Sequence, residues 1–262
     1  MAALMTRGHQ AWIMTSATLA VGEDFSHFTS RLGLGDARCL AFPSPFDLTN
    51  NGLVYLPPGL PAPSDREHTA SVLETLVPLF DMTPGGVFCL FTSHRALNNA
   101  RYWFRQNRSV LGKRKLLVQG SAPRDDLTRR FRRAGNAVLL GTGSFWEGID
   151  VRGEALSIVM IDKLPFASPG DPLTMARLEF IRREGGNGFM QHQVPQAVLA
   201  LKQGAGRLLR SETDFGVILL GDPRISGKPY GKLFLESLAP MPVTTALDDV
   251  AAFFERRKQA VA

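Results

Sequence analysis

Short runs of consecutive apolar residues alternate with helical segments along most of this 262-residue chain, and this alternation constrains the fold more than any other feature. The apolar runs predict strands at 86–92, 115–118, 137–140, 156–161 and 215–220, and the segments between them predict helices at 69–80, 94–106, 123–134, 172–183, 193–210 and 245–259. Strands that are apolar on both faces and alternate with helices are typical of a parallel sheet covered on both sides. We therefore predict a three-layer α/β domain with a mostly parallel sheet.

The first quarter of the chain is less regular. Residues 11–19 have the composition of a short buried strand that runs into a polar turn. Residues 20–66 are rich in Pro and Gly and are predicted to be irregular, with an extended surface loop at Leu56–Ser64.

Composition restricts the classes of partner and of site. The formal net charge of +6 fits a polyanion such as nucleic acid, although mildly basic domains that bind no polyanion are equally common. The two cysteines, Cys39 and Cys89, lie far apart in sequence, so we expect no metal site, no iron–sulfur cluster and no disulfide framework. No segment approaches the ~20 apolar residues that span a bilayer. We expect a cytoplasmic protein with no membrane partner.

Polar residues follow the predicted strands. In parallel sheets, ligands collect beyond the carboxyl ends of the strands. Here those ends carry Thr92-Ser93-His94, Thr142-Gly143-Ser144, Asp162-Lys163 and Asp222-Pro223-Arg224. We expect the binding edge of the sheet at these positions.

The segment Gln203-Gly-Ala-Gly-Arg-Leu-Leu-Arg210 carries two guanidinium groups. On a continuous helix, Gln203, Arg207 and Arg210 share one face at i, i+4 and i+7, opposite an apolar stripe. Guanidiniums bind phosphate oxygens in a fork and can stabilise charge on a transferring phosphoryl group. A solvated basic face near a helix C-terminus is the competing interpretation.

A glycine-rich segment, Gly141-Thr-Gly-Ser-Phe-Trp-Glu-Gly-Ile-Asp150, follows a predicted strand. Its backbone amides can cradle phosphates, Thr142 and Ser144 can bond a nucleic-acid backbone, and Trp146 can stack on a base. The alternative is an ordinary turn with Phe145 and Trp146 in the core. No Gly-Lys-Ser or Gly-Lys-Thr follows, so the segment is not a Walker A loop.

Two shorter hydroxyl clusters have ambiguous roles. The hydroxyls of Ser16 and Thr18 can couple two sites to one another or cap the next turn. Thr92 or Ser93 can cap the following helix or contact a phosphate.

In this order, these segments resemble the DinG/XPD-like branch of the superfamily 2 DNA helicases. The resemblance covers essentially the whole chain. Ser16-Ala-Thr-Leu19 resembles motif III, Cys89-Leu-Phe-Thr-Ser-His94 motif IV, Gly141–Asp150 with Ile161–Phe166 motif V, and Gln203–Arg210 motif VI.

The resemblance implies that two RecA-like motor domains clamp ATP, with single-stranded DNA running across both and unwinding in the 5′-to-3′ direction. It implies that Arg207 and Arg210 reach the ATP phosphates and that Gln203 helps to bind nucleotide or to couple the domains. Motif III, with Ser16 and Thr18, would serve the same coupling. The remaining motif residues would line the nucleotide cleft (Glu147, Gly148, Asp150) or contact DNA (Thr92, Ser93, Thr142, Ser144).

This chain lacks a Walker A box, a DEAH-type box and the iron–sulfur insertion of many family members. We therefore expect residues 1–20 to be a remnant of the first motor domain and residues 21–262 to form the second. ATP and Mg²⁺ would be held mainly by the missing N-terminal domain, and the isolated chain would be inactive. Trp12 and Ile13 should be incompletely buried. The alternatives are a non-catalytic nucleic-acid-binding module and, more distantly, an unrelated α/β enzyme that uses the glycine-rich loop.

Overall fold

A computed structural model of the chain describes residues 11–145, 155–168 and 170–261. Within these ranges, seven parallel strands form one sheet in the order β3-β4-β2-β5-β6-β1-β7. The strands are β1 (Gly52–Tyr55), β2 (Gly86–Leu90), β3 (Leu116–Val118), β4 (Val138–Gly141), β5 (Leu156–Ile161), β6 (Gly216–Leu220) and β7 (Val243–Thr244).

Helices connect the strands and cover both faces of the sheet. They are α1 (Ser26–Leu32), α2 (Leu48–Asn51), α3 (His68–Leu76), α4 (Leu79–Met82), α5 (His94–Gln106), α6 (Arg124–Ala134), α7 (Pro172–Arg183), α8 (Val194–Ala205), α9 (Arg224–Gly227), α10 (Gly231–Glu236) and α11 (Leu247–Val261). Short 3-10 turns lie at Arg108–Leu111 and Gly143–Phe145, and a π turn at Phe189–Gln193 leads directly into α8.

Alternate strand residues face two separate hydrophobic cores. Phe88 and Leu90 of β2 pack with α6, α8 and α10 on one face, whereas Val87 and Cys89 pack with α3, α5 and α11 on the other. Each of these strand residues is essentially inaccessible to solvent. The chain is therefore a three-layer α/β domain with a parallel sheet, and the prediction of fold class is confirmed.

The sequence correctly located most elements after residue 67. The predicted bounds of α5, α7 and β5 coincide with the observed ones. The predicted helix at 69–80 is instead two helices, α3 and α4, because the chain turns at Val77 and Pro78. Pro78 has no backbone N–H to donate and its ring crowds the carbonyl group four residues earlier, which accounts for the break.

The prediction for the first quarter of the chain was partly wrong. Residues 11–19 form no strand, whereas the expectation that Trp12 and Ile13 are incompletely buried is confirmed, with 51% and 86% of their surfaces exposed. The interval 20–66 is not wholly irregular, because it contains α1, α2 and β1. β1 was missed because it has four residues and lies between Asn50-Asn51 and a proline-rich segment. It nevertheless pairs with both β6 and β7.

The long helix predicted at 193–210 ends at Ala205. Beyond it, the N–H of Arg207 bonds to the carbonyl of Gly204 at 3.2 Å in a tightened turn. The carboxylate of Asp214 then accepts hydrogen bonds from the backbone of Arg210 and Ser211, at 2.8 and 2.9 Å. The prediction that Gln203, Arg207 and Arg210 share one helical face was therefore wrong, because only Gln203 lies within the helix.

Candidate nucleotide and nucleic-acid interface

Four adjacent strands, β4, β2, β5 and β6, end at one edge of the sheet. The residues that follow them are Thr142, Thr92, Asp162 and Asp222. The predicted clustering of polar residues beyond the carboxyl ends of the strands is confirmed. Their side chains differ in burial and in partners, and this difference determines what each can do.

Asp162 is fully buried after β5 and holds the end of β2. Its Oδ1 accepts the backbone N–H of Thr92 at 2.9 Å, whereas Oδ2 has no hydrogen-bond partner among the described residues. Burial raises the pKa of the Asp162 carboxyl to about 7, against the opposing effects of the Thr92 hydrogen bond and the Lys163 ammonium. The buried ring of His68 contacts the Asp162 carbonyl oxygen at 3.0 Å. Nothing in the local sequence pattern of His68 predicted this contact.

Asp222 fixes the loop that follows β5. One carboxylate oxygen accepts the N–H of Leu164 at 2.8 Å, and the guanidinium of Arg224 donates to both oxygens, at 2.6 Å from Nη2 and 2.9 Å from Nε. Hydrogen bonding to Asp222 raises the pKa of Arg224. The same guanidinium lies over the ring of Phe166, 5.2 Å from its centroid. Asp222 and Arg224 therefore order the Asp162–Phe166 loop.

Thr142 is buried and bonded inside the chain. Its backbone N–H donates to Oε1 of Gln119 at 2.5 Å, and its hydroxyl donates to the same oxygen at 3.2 Å. The carbonyl group of Gln119 thus joins the end of β4 to the segment after β3. Gln119 was not identified as a site residue from the sequence, because its contact with Thr142 spans 23 residues.

Ser93 caps helix α5. Its exposed Oγ accepts the backbone N–H of Ala96 at 3.1 Å. Of the two roles considered for Thr92 and Ser93, the cap is the one observed, and Ser93 provides it. The N-terminus of α5, with its positive dipole end, therefore opens at the carboxyl edge beside Thr92.

The residues resembling motifs III and VI are in contact. Nε2 of Gln203, in the last turn of α8, donates to Oγ1 of Thr18 in a long hydrogen bond of 3.4 Å. Oγ of Ser16 lies 3.2 Å from the same Thr18 hydroxyl. Arg207 and Arg210 follow α8, are both half-buried, and have other interactions within the chain. Thr15 and Ser16 also border a cleft of about 680 Å³.

The glycine-rich segment is described only in its first half. Phe145 is in the core, with 2% of its surface exposed, and meets Phe88 edge to face at 6.2 Å. A Cβ at Gly141 would lie 2.7 Å from the Cβ of Phe145, so glycine is required where the chain folds back. Four predicted site residues, Trp146, Glu147, Gly148 and Asp150, and the side chain of Ser144 lie outside the described residues.

Neither a metal centre nor a membrane span emerges from the described part of the chain. Within it, no group of three or more His, Cys, Asp or Glu side chains is placed to hold a metal ion. None of the helices in the described ranges is both long and apolar enough to cross a membrane.

Residues 76–241 match the family model described as the helicase C-terminal domain. The match spans β2 to β6 and includes Thr92, Asp162, Gln203 and Arg207. The chain belongs to the helicase C-terminal domain family.

Curated relatives and solved structures agree with this assignment. The chain is 44% identical over 241 residues to the ATP-dependent DNA helicase YoaA of Escherichia coli, covering 92% of this chain and 37% of YoaA. It is 37% identical over 252 residues to the ATP-dependent helicase DinG of Mycobacterium tuberculosis, covering 95% of this chain and 37% of DinG. This chain therefore spans little more than a third of the length of these relatives.

The structural similarity is to a helicase of the XPD type. Xpd4 of S. tokodaii aligns with 76% of this chain and 39% of its own, at a TM-score of 0.52 and 15% sequence identity. At this identity the similarity concerns the fold, and it supports the predicted RecA-like architecture.

Proposed function

We propose that this chain is the second motor domain of an ATP-dependent DNA helicase that unwinds in the 5′-to-3′ direction. In this proposal, Arg207 and Arg210 bind the phosphates of ATP held between two motor domains. The observation that carries the proposal is the contact between Gln203 and Thr18, because it joins the segments resembling motifs VI and III. The relatives named as an ATP-dependent DNA helicase and as an ATP-dependent helicase support the same activity.

The surroundings of the two arginines suit phosphate binding. The turn after α8 is fixed by Asp214, which holds the backbone of Arg210 and Ser211 and also accepts the Ser211 hydroxyl at 2.6 Å. A fixed backbone lets a guanidinium approach phosphate oxygens with little loss of conformational freedom. Guanidiniums placed in this way stabilise the charge on a transferring phosphoryl group.

The coupling role rests on Gln203, Thr18 and Ser16. Their amide and hydroxyl groups form a chain of contacts of 3.4 and 3.2 Å that crosses from α8 to the segment near the beginning of the chain. A change in the position of Arg207 on binding phosphate would be transmitted to Thr18 along this chain.

For DNA, we propose contacts at the carboxyl edge of the sheet. Thr92 and Ser93 lie at the N-terminus of α5, where backbone N–H groups favour a phosphate. The hydroxyl of Thr142 is bonded to Gln119, so Thr142 acts by holding the loop that carries Ser144 and Trp146. Trp146 stacks on a base of the single strand.

Nucleotide contacts assigned to Glu147, Gly148 and Asp150 belong to the same proposal and rest on the family pattern of the segment. The described residues offer no cluster of metal ligands, so the proposal gives them no role in holding the Mg²⁺ that accompanies ATP. It also assigns no iron–sulfur ligands to this chain, whose cysteines are two in number and far apart. A first motor domain with Walker A and DEAH-type boxes would hold the nucleotide and its metal.

The proposal is tested by mixing this chain with a separately produced first motor domain that carries those boxes. We expect no ATP hydrolysis by this chain alone, with or without single-stranded DNA, and DNA-stimulated hydrolysis by the mixture. Arg207→Ala should abolish the stimulated hydrolysis. Arg182→Ala is the matched control, because Arg182 is exposed and pairs with Glu179 away from the site. Equal hydrolysis by the two variants would contradict the proposal.

A further inference from the structure

A long interval of the chain contains cations but no acids. Between Asp81 and Asp125 there is no Asp or Glu, and the interval contains eight Lys and Arg residues. The net charge of this interval is therefore strongly positive, whereas over the whole chain 30 basic residues are nearly balanced by 24 acidic ones. The interval includes α5, the 3-10 turn that follows it, and β3.

Four of these cations line a cleft and the hollow beside it. We call Arg105, Arg108, Lys113 and Lys115 the amino-edge basic surface; all four are exposed. Arg105, Arg108 and Lys115 line a cleft of about 700 Å³, and Lys113 lines the hollow beside it.

This surface lies at the edge of the sheet opposite to the proposed nucleotide site. Arg114, which lines the same cleft, donates to the carbonyl oxygens of Gly85 at 2.5 Å and Asn136 at 3.1 Å, which lie just before β2 and β4. Those residues mark the amino ends of the strands. Ser93 begins α5 at the carboxyl edge, and twelve residues of helix, about 18 Å, separate it from Arg105.

The four cations of the amino-edge basic surface form no ion pair within the described ranges, and the acid that lines the adjoining hollow is Asp81. Some exposed arginines elsewhere are paired with acids: Arg129 and Arg130 with Asp126 at 3.1 and 2.5 Å, and Arg182 with Glu179 at 3.0 Å. None of the four cations of the amino-edge basic surface has such a pair within the described ranges. Unpaired cations that lie near one another repel, and binding of a polyanion neutralises their charge.

An exposed aromatic ring adjoins these cations. Tyr102 is on α5, three residues before Arg105, and 64% of its surface is exposed. Residues at this spacing are neighbours on a helix surface. A ring beside guanidiniums fits a nucleic-acid strand better than an acidic peptide, because bases stack on aromatic faces while phosphates meet the cations.

We infer that the amino-edge basic surface binds the sugar–phosphate backbone of nucleic acid, as a second contact about 18 Å away from the one at the carboxyl edge. The inference rests on the proposed function for its choice of nucleic acid as the polyanion. It adds a surface that the motif residues do not include. The bound segment is therefore DNA outside the strand held at the carboxyl edge, either single-stranded or duplex.

The test measures binding of this chain to fluorescently labelled 30-nucleotide single strands and 30-base-pair duplexes over a range of salt concentrations. The surface variant is R105A/R108A/K115A, and the control variant is R129A/R130A/R182A, which removes the same charge from paired arginines. We expect the surface variant to bind at least tenfold more weakly at low salt. The slope of its log affinity against log salt concentration should be smaller in magnitude by about 2 to 3. Each lost phosphate contact reduces that slope by about 0.7 to 0.9. If the segment bound by this surface is a single strand, Tyr102→Ala should weaken single-strand binding but not duplex binding.

Equal affinities and salt slopes for the surface and control variants would overturn the inference. So would a surface variant that loses affinity for polyglutamate while keeping its affinity for both DNAs, because the partner would then be an acidic protein. The failure of this inference is distinguishable from that of the proposed function. If only this inference fails, ATP hydrolysis by the mixed domains still depends on Arg207. If only the proposed function fails, DNA binding still depends on the amino-edge basic surface. Matching thermal unfolding of the variants and the wild type shows that these exposed substitutions leave the fold intact.

Discussion

The side-chain amide of Gln203 donates to the hydroxyl of Thr18 at 3.4 Å, across a separation of 185 residues. Both residues are half-buried. The contact places the segment near the beginning of the chain against the last turn of α8, immediately before Arg207. It provides a direct physical link between the proposed phosphate-binding turn and the part of the chain that resembles motif III.

The first prediction is an energetic coupling between these two residues. Gln203→Ala and Thr18→Val each remove one side of the hydrogen bond, so the double variant should lose less stability than the two single losses added together. The expected coupling is about 0.5 kcal/mol, at the low end for a hydrogen bond because this one is long. Urea unfolding of the four proteins measures it. Ser71→Ala in place of Thr18→Val provides the comparison, because the Ser71 hydroxyl bonds to the carbonyl oxygen of Glu67. Strictly additive losses for Gln203 and Thr18 would show that their contact does not contribute to stability.

The second prediction concerns Asp162 and pH. The folded chain holds the pKa of this carboxyl near 7, above its ordinary value of 3.8, so the unfolded chain ionises first as the pH rises. Stability should therefore fall between about pH 4 and pH 7 and then level off. Asp162→Asn cannot ionise, and its stability relative to the wild type should rise over the same interval.

Denaturant unfolding at a series of pH values measures this difference. Asp171→Asn is the control, since hydrogen bonding to Thr174 lowers the pKa of Asp171 and confines its effect to more acidic solutions. Parallel profiles for the wild type and Asp162→Asn between pH 4 and 7 would refute the prediction.

The third prediction is that acid loosens α1. The rings of His27 on α1 and His192 in the π turn lie 5.9 Å apart, and burial, followed by the positive charge of Arg31, lowers the pKa of both. Arg177 adds to this effect on both, whereas Asp24 and the Gln191 carbonyl oppose it at His27. Because the folded-state pKa values are below 6.5, stability is fully present above pH 6.5 and is lost as the pH falls further.

Hydrogen exchange of the α1 amides, corrected for the intrinsic effect of pH, measures this loosening. Protection should decline between pH 6.5 and pH 5.5 in the wild type and should decline less in His192→Phe, which packs but does not titrate. The exposed His94 serves as a control through His94→Ala, which should behave like the wild type. Protection of α1 that is independent of pH would show that the histidine pair does not hold it.

The fourth prediction concerns Arg114, which ties together the amino ends of the strands. Its guanidinium donates to the carbonyl oxygens of Phe80, Thr83, Gly85 and Asn136. Arg114→Ala leaves several half-buried acceptors without a donor, and we expect a loss of about 3 kcal/mol in the free energy of unfolding. Arg114→Lys should recover only part of this loss because an ammonium lacks the planar fork.

Urea unfolding decides this prediction. Arg124→Ala is the comparison, because Arg124 is exposed and its ion pair with Asp125 is 3.7 Å long. A loss for Arg114→Ala no larger than that for Arg124→Ala would contradict the role given to the carbonyl contacts.

The sequence predicted the parts of the fold that have a strong periodic signal. β5 has six residues, five of them apolar, and is buried throughout, and α5 begins at a serine cap, so both were located correctly. β1 was missed because its four residues are stabilised by pairing with β6 and β7, which are distant in sequence. The end of α8 was misplaced because Asp214, nine residues beyond the helix, accepts a hydrogen bond from the backbone N–H of Arg210.

The candidate site was predictable to a similar degree. Strand ends indicated Thr92, Thr142 and Asp162, because the carboxyl edge of a parallel sheet follows from the alternation of strands and helices. That Thr142 bonds to Gln119, and that Asp162 holds Thr92, depends on contacts across 23 and 70 residues. Local patterns carry no information on such contacts.

The central claim is that Arg207 completes an ATP site that is shared with a first motor domain. Steady-state ATP hydrolysis by the mixed domains, with single-stranded DNA present, tests it most directly through the separate effects on kcat and KM. We predict that Arg207→Ala lowers kcat by about a thousandfold or more with little change in KM, because the guanidinium acts on the transition state, and that Arg207→Lys does not restore it. A wild-type kcat for Arg207→Ala, or ATP hydrolysis by this chain alone, would contradict the account.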